Sequence, residues 1–165
     1  MTAIWHNDGA GWHLMAPSGF PDEAALHTLI EEAPQVLPLA GTPTLAVVGR
    51  EVSVSSGYAD LLAVEPSGRL VIIEVKLARN AESRRAIIAQ VLTYAADLHG
   101  MDVATLERDV LGSHLRRRGY DSLAGAMAAS DQTGSFDASS FSNGLAESLS
   151  QGRFRLVLVL DSAPQ

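Results

Sequence analysis

Within the apolar run Leu70–Leu77, the segment Ile73-Glu74-Val75-Lys76 places two opposite charges two residues apart. In a strand such residues project from the same face, with Val75 on the other. Folding this run back on Tyr58–Val64 about Ser67 pairs positions whose numbers sum to about 134, which sets Asp60 opposite Glu74 to within one residue of register. Two carboxylates and an ammonium then share one patch. Such a patch is costly, because ionised groups in a core strand lose hydration and facing carboxylates repel. A divalent cation resolves the conflict. The Asp60 and Glu74 carboxylates and the backbone carbonyl of Val75 are hard donors of the kind Mg²⁺ accepts, with Mn²⁺ as a substitute and water and a substrate phosphate completing the octahedron. Lys76, beside that ion, is placed to orient or deprotonate an attacking water and to offset charge on a phosphorane-like transition state.

The bases of the chain are eleven Arg and one Lys, so Lys76 is the single ammonium side chain. Net charge is −7, which argues against nonspecific adhesion to nucleic acid. The charge is unevenly spread: residues 1–66 carry eight acids and one base, residues 67–120 nine bases and six acids, and residues 121–165 two bases and five acids. An anionic ligand is therefore expected to meet the middle third. The absence of Cys excludes disulfides, Cys-ligated zinc, iron–sulfur clusters and thiol catalysis. The five His have no HxH or HExxH spacing, which speaks against zinc, and no phosphate-binding Gly-rich loop with Lys-Ser/Thr is present. Neither an export signal nor an 18-residue apolar run occurs, so a cytoplasmic protein with no membrane partner is expected.

The length of 165 residues suits one domain. Trp5 to Trp12, broken by Asn7-Asp8-Gly9-Ala10-Gly11, reads as a hairpin in which the tryptophans pack. Pro21 opens a helix over Asp22–Ala33, with Leu26, Leu29 and Ile30 on one face, and Pro34 stops it. Thr44–Val48 and Val52–Ser55, either side of Gly49-Arg50, predict a strand pair or one bent strand. Tyr58–Val64 and Leu70–Leu77, joined by the turn Glu65–Arg69, form the clearest hairpin. A helix from about Ala81 to Leu98 is apolar enough to be buried on much of its circumference. Asp102–Arg118 is helical, with Arg116-Arg117-Arg118 as a cationic end. Ser130–Asn143 reads as a flexible loop or lid, Phe141–Leu149 as a short helix and Arg153–Leu160 as a core strand. The domain then divides into an N-terminal hairpin (1–20), a motif core (21–98), a helical and loop insertion (99–152) and the core strand (153–161). The chain stops five residues after Leu160, which fits a piece of a longer protein.

An acid in the first helix, then Tyr58-Ala59-Asp60, Ile73-Glu74-Val75-Lys76 and Gln90-x-x-x-Tyr94, is an order that resembles the PD-(D/E)XK, restriction-endonuclease-like nucleases. The pattern is nearest to the branches related to the carboxy-terminal domain of the mismatch endonuclease NucS and to RecB-type nuclease domains. The resemblance covers roughly Pro21–Leu98 plus Arg153–Leu160; the motif's proline is Ala59 here. It implies an α/β fold with a restriction-endonuclease-like core, a mixed central β-sheet flanked by helices. It places the first-helix acid on Glu23, with Glu31 and Glu32 as alternatives if the helix is offset. It also implies that Gln90 and Tyr94, one helical turn apart and so able to face the site together, lie beside the metal and the nucleic-acid backbone.

The expected function is Mg²⁺-dependent hydrolysis of phosphodiester bonds in nucleic acid, foremost as a DNA endonuclease, with a homodimer suited to cutting both strands. Arg79, Arg84 and Arg85 are either a solvated helix face or phosphate contacts beside the site, and Arg116-Arg117-Arg118 either a solvated cap or a DNA contact. Two rivals stand beside this reading. One is a noncatalytic module of the same fold that binds nucleic acid or a protein and keeps the acid–Lys set as a salt bridge. The other is an enzyme acting on a different phosphate-bearing substrate.

Overall fold

The first helix begins where the Asp22 carboxylate accepts the Ala25 N–H, occupying one of the donors that a helix start leaves open. This helix, α1 (Glu23–Glu32), buries Leu26, His27 and Ile30, and a single turn of 3₁₀ helix at Pro34–Val36 follows it. The structure is a computed structural model that describes residues 5–14, 19–40, 44–77 and 84–160. At its N-terminal end β1 (Trp5–Asn7) and β2 (Trp12–Leu14) form the expected hairpin. Its tryptophans are not packed, however: Trp5 is 55% and Trp12 68% exposed. Three residues per strand offer no second layer to cover them.

The main sheet has the order β3-β4-β5-β6, with β3 at Ala46–Val54, β4 at Gly57–Val64, β5 at Leu70–Lys76 and β6 at Arg155–Leu160. The first three strands form an antiparallel meander and β6 runs parallel to β5, so the sheet is mixed and the fold is α/β. The expected strand pair or bent strand resolves as one bent strand, β3, the bend being a register shift between Val47 and Gly49. The β4–β5 register runs from Val64↔Leu70 to Leu61↔Ile73, the pairing expected from folding about Ser67.

Helices cover both faces, which is why β5 is apolar on both sides. Leu70 and Ile72 join a cluster with Val91, Tyr94, Leu106, Phe141 and Leu145, whereas Val71, Ile73 and Val75 join one with Leu26 and Ile30 of α1. On the first face lies α2 (Arg84–Leu98), buried only along Ile87, Val91, Tyr94 and Leu98. Its exposure differs from the expectation of broad burial, since Ile88 and Leu92 are half exposed: the sheet meets one stripe of the helix and nothing described covers the other. Residues 81–83 of the expected helix lie outside the described residues.

The segment after α2 is helical in three pieces: α3 (Val103–Thr105), a π turn at Leu106–Val110, and α4 (Gly112–Arg117). Two further corrections concern the C-terminal third. Ser130–Asn143 is not a lid, because α5 (Leu123–Ser130) and α6 (Ala138–Gln151) take up its two ends. The residues between are tied by Asp131, whose carboxylate accepts the Thr133 and Phe136 N–H groups. The expected core strand, β6, is instead an edge strand in which only Val157 is buried, because no further strand pairs beyond it among the described residues. Its Arg155 is paired to Glu65 in the β4–β5 turn. Residue 161, expected to end this segment, lies outside the described residues. That turn packs directly on α6: a Cβ at Gly144 would lie 1.9 Å from the Ser67 carbonyl oxygen, and one at Gly68 2.3 Å from the Phe141 carbonyl oxygen. Among the described residues no helix is long and apolar enough to cross a membrane.

Candidate active site

The β4–β5 ladder stops at Leu61↔Ile73, one residue before Asp60 and Glu74 would pair. Side chains then satisfy the backbone. The Val75 N–H donates to Asp60 Oδ2 at 2.8 Å and the Leu77 N–H to Glu23 Oε1 at 3.2 Å. Two carboxylates from different elements thus continue, along β5, the acceptor row that β4 abandons. Glu23 begins α1, and Leu26 and Ile30 dock that helix on Val71, Ile73 and Val75. Burial of the helix is therefore what brings the Glu23 carboxylate to the strand.

Glu74 and Lys76 continue the β5 face of Leu70 and Ile72. The Glu74 side chain has no exposed surface, and neither carboxylate oxygen has a hydrogen-bond partner. Lys76 Nζ lies 3.3 Å from Glu74 Oε1 as an ion pair that is not aligned as a hydrogen bond, and 3.9 Å from Glu23 Oε2. Burial, reinforced by the Asp60 charge and only partly offset by the Lys76 ammonium, pushes the Glu74 pKa up to about 7. Burial works against the ammonium of Lys76 too, but the Asp60, Glu74 and Glu23 carboxylates outweigh it and its pKa is raised. Lys76 is thus held as a cation at neutral pH, a state that orients or polarises water and cannot abstract a proton from it.

A further residue enters here that the sequence reading left among scattered histidines. His27, one turn after Glu23 on α1, is buried, and its Nε2 lies 3.5 Å from Asp60 Oδ2 while neither ring nitrogen makes a hydrogen bond. The i, i+4 spacing of Glu23 and His27 was visible in the sequence, but only the docking of α1 on β5 shows that Glu23 meets Lys76 and the Leu77 amide while His27 meets Asp60. A cleft of about 460 Å³ opens on this group, lined by Glu23, Ala24, His27, Glu51, Tyr58 and Asp60. Glu51 takes a left-handed backbone (φ 50°), a costly conformation for a non-glycine residue. A larger cavity of about 600 Å³ lies elsewhere, between Glu31, Leu45, Arg118 and Tyr120, and includes none of the acids at the end of β5.

The other expected site residues sit as follows. Gln90 Nε2 donates to the Tyr94 hydroxyl at 2.5 Å, and the end of that ring lies against Gly57, where a Cβ would be 3.3 Å from the hydroxyl. No described hydrogen bond links the pair to Asp60, Glu74 or Lys76. Arg85 is exposed in the first turn of α2; Arg79 and the Arg84 side chain lie outside the described residues. Arg118 is not a solvated cap but donates to the Val47 carbonyl at 2.7 Å and pairs with Glu31, and Arg50 also pairs with Glu31. Those pairs hold Glu31 at Arg50 and Arg118 and leave Glu23 as the first-helix acid that reaches the end of β5, through Lys76 and the Leu77 amide.

No family model, curated protein or solved structure matches the chain. The chemistry of the cleft therefore rests on its own geometry. Among the described residues no three His, Asp or Glu side chains form a ready-made metal cage. Mg²⁺ does not require one, since it binds through one or two carboxylates and keeps water and substrate phosphate as its remaining ligands. The buried carboxylate of Glu74 fits that requirement, because its oxygens accept no hydrogen bond and the Lys76 ammonium 3.3 Å away only partly offsets the cost of its burial.

Proposed function

We propose that the protein is a metal-dependent nuclease of the PD-(D/E)XK type that hydrolyses phosphodiester bonds, with DNA as its substrate. The observation that carries this reading is the convergence of Asp60, Glu74, Lys76 and Glu23 at one strand end, with the Glu74 oxygens buried and without hydrogen bonds. Asp60, Glu74 and the Val75 carbonyl would hold Mg²⁺ or Mn²⁺, with His27 and Glu23 as adjoining donors. When bound, the ion supplies electrophilic polarisation of the scissile phosphoryl group and an acidified water.

The protein's own residues do the rest. Lys76, kept cationic by three carboxylates, orients the attacking water and offsets negative charge growing on the phosphorus oxygens. Glu23 fixes the ammonium and the Leu77 amide together, so α1 and β5 hold one geometry. Asp60 Oδ2 accepts the Val75 amide and lies 3.5 Å from His27 Nε2. Tyr58 and Glu51 wall the open cleft through which a strand would enter.

The test is cleavage of single-stranded, duplex and forked DNA with Mg²⁺ or Mn²⁺ by wild type, Glu74→Ala and Lys76→Ala. Activity that requires metal and is lost in both variants supports the assignment; a Glu74→Ala protein that cuts at the wild-type rate refutes it. One observation favours a second reading, a noncatalytic module: Asp60 and Glu23 already accept backbone amides, and Lys76 already neighbours both Glu23 and Glu74, as a purely structural network would. Under that reading Mg²⁺ and Mn²⁺ leave the Tm unchanged, whereas a metal site raises it by mass action.

A further inference from the structure

A third pocket, of about 400 Å³, shares Glu31 and Arg118 with the larger cavity and is lined by Glu31, Arg50, His114, Arg117 and Arg118. Its construction depends on Gly49. A Cβ there would come within 2.4 Å of the Val52 side chain and 2.8 Å of the Leu111 side chain, so the glycine makes room for Leu111, the residue before α4, to pack against β3. That approach brings residues of α4 and its C-cap over the Arg50 side chain. Three guanidinium groups then face one carboxylate, Glu31, which pairs with Arg50 and Arg118. Arg117 is exposed and has no ion-pair partner among the described residues, so the pocket holds positive charge in excess in a chain whose net charge is −7.

We infer that this pocket binds a backbone phosphate of the nucleic-acid strand whose cleavage takes place at the β5 acids, a site that rests on the nuclease reading and deepens it. Arg117 supplies the free charge, while Arg50 and Arg118, fixed by Glu31, Thr28 and the Val47 carbonyl, form a rigid wall with donors at set positions. Burial, and then the charges of Arg117 and Arg118, lower the His114 pKa against the opposing pull of Glu31. His114 is therefore neutral at pH 7 and offers one N–H without adding to the charge. The placement suits a strand: Glu23 at the cleft and Glu31 at the pocket are roughly two turns apart on α1, about 12 Å at a rise of 1.5 Å per residue. That is the axial rise of about three or four base pairs of a duplex. Arg50, which lines the pocket, donates to the carbonyl of Ala24, which lines the cleft, at 3.4 Å, so the two lie side by side along α1.

The experiment is equilibrium binding of fluorescein-labelled single-stranded and duplex DNA, followed by anisotropy in EDTA across a salt series. Wild type is compared with Arg117→Ala, Arg117→Glu and, as a control for net charge, Arg108→Ala, whose exposed guanidinium pairs with Asp109. The inference expects Arg117→Ala to raise Kd by about 5- to 10-fold for every sequence and to reduce the slope of log Kd against log salt by about one. Arg117→Glu should cost more and Arg108→Ala little. Unchanged Kd and slope in both Arg117 variants would overturn it, as would an equal loss in Arg108→Ala. Stabilisation by inorganic phosphate without any binding of DNA would also overturn it and assign the pocket to a small phosphorylated molecule. Wild type that binds DNA through Arg117 but cuts nothing with any metal leaves the pocket standing and removes the catalytic reading alone.

Discussion

In the proposed nuclease Glu74 is the central metal ligand, and its carboxyl is fully buried with no hydrogen bond of its own. Its folded pKa, about 7, exceeds the ordinary 4.5, so between these values the folded protein holds more protons than the unfolded chain. Metal-free stability should therefore fall as pH rises from about 4.5 to 7, by on the order of 3 kcal/mol. Below that window both states are protonated and the penalty is absent; above it the penalty is complete. Glu74→Gln should remove this pH dependence and leave the metal-free protein more stable than wild type at pH 8, as read by urea denaturation. A metal competes with the same proton, so the thermal shift produced by Mg²⁺ should grow from pH 6 to pH 8 in wild type and vanish in Glu74→Gln. His27→Ala should keep the fold and raise the metal concentration for half-maximal cleavage by about 10- to 100-fold, in line with the cost of losing a group that supports a metal ligand. Asp60, Glu74 and Lys76 were legible in the sequence because two-residue periodicity and one turn fix their relation. His27 was not, since its partner lies on an element whose angle of approach is set by tertiary packing.

At the scale of elements, the contact between the β4–β5 turn and α6 allows no side chain on either glycine. Gly144→Ala should collide with the Ser67 carbonyl and lower the Tm, by an amount equivalent to about 2–4 kcal/mol in a thermal melt, and Gly68→Ala should add the strain of a left-handed backbone (φ 80°). The β4–β5 hairpin could be read from alternation and turn chemistry, and α1 from Pro21, Asp22 and Pro34. The extent of α6 could not. Its first half, Ala138-Ser139-Ser140-Phe141-Ser142-Asn143-Gly144, has the composition of a loop, yet the Asp137 cap and the burial of Phe141, Leu145 and Leu149 hold it as a helix. Here Gly144, a poor helix former, is present for the close approach it permits. Burial of α2 was overestimated for a related reason: apolar content states what a helix could bury, and the sheet decides how much it does.

Across the whole molecule, the site depends on both cores at once, since β5 separates them and α1 delivers Glu23 and His27 from the smaller one. Ile30→Ala, at a fully buried position of that smaller core, should cost about 2–5 kcal/mol of stability in urea denaturation. It should also reduce cleavage, because a loosened α1 no longer holds the Leu77 amide and the Lys76 ammonium in one geometry.

The N-terminal hairpin has an optical consequence. Both tryptophans of the chain, Trp5 and Trp12, stand on it with more than half their surface in water, and none lies in either core. Intrinsic tryptophan emission from the folded protein should accordingly be red and open to iodide quenching, and should change little when the domain melts. The same fluorophores become a selective reporter: a blue shift without any change in circular dichroism would signal that something has covered the hairpin, independently of events in the cleft.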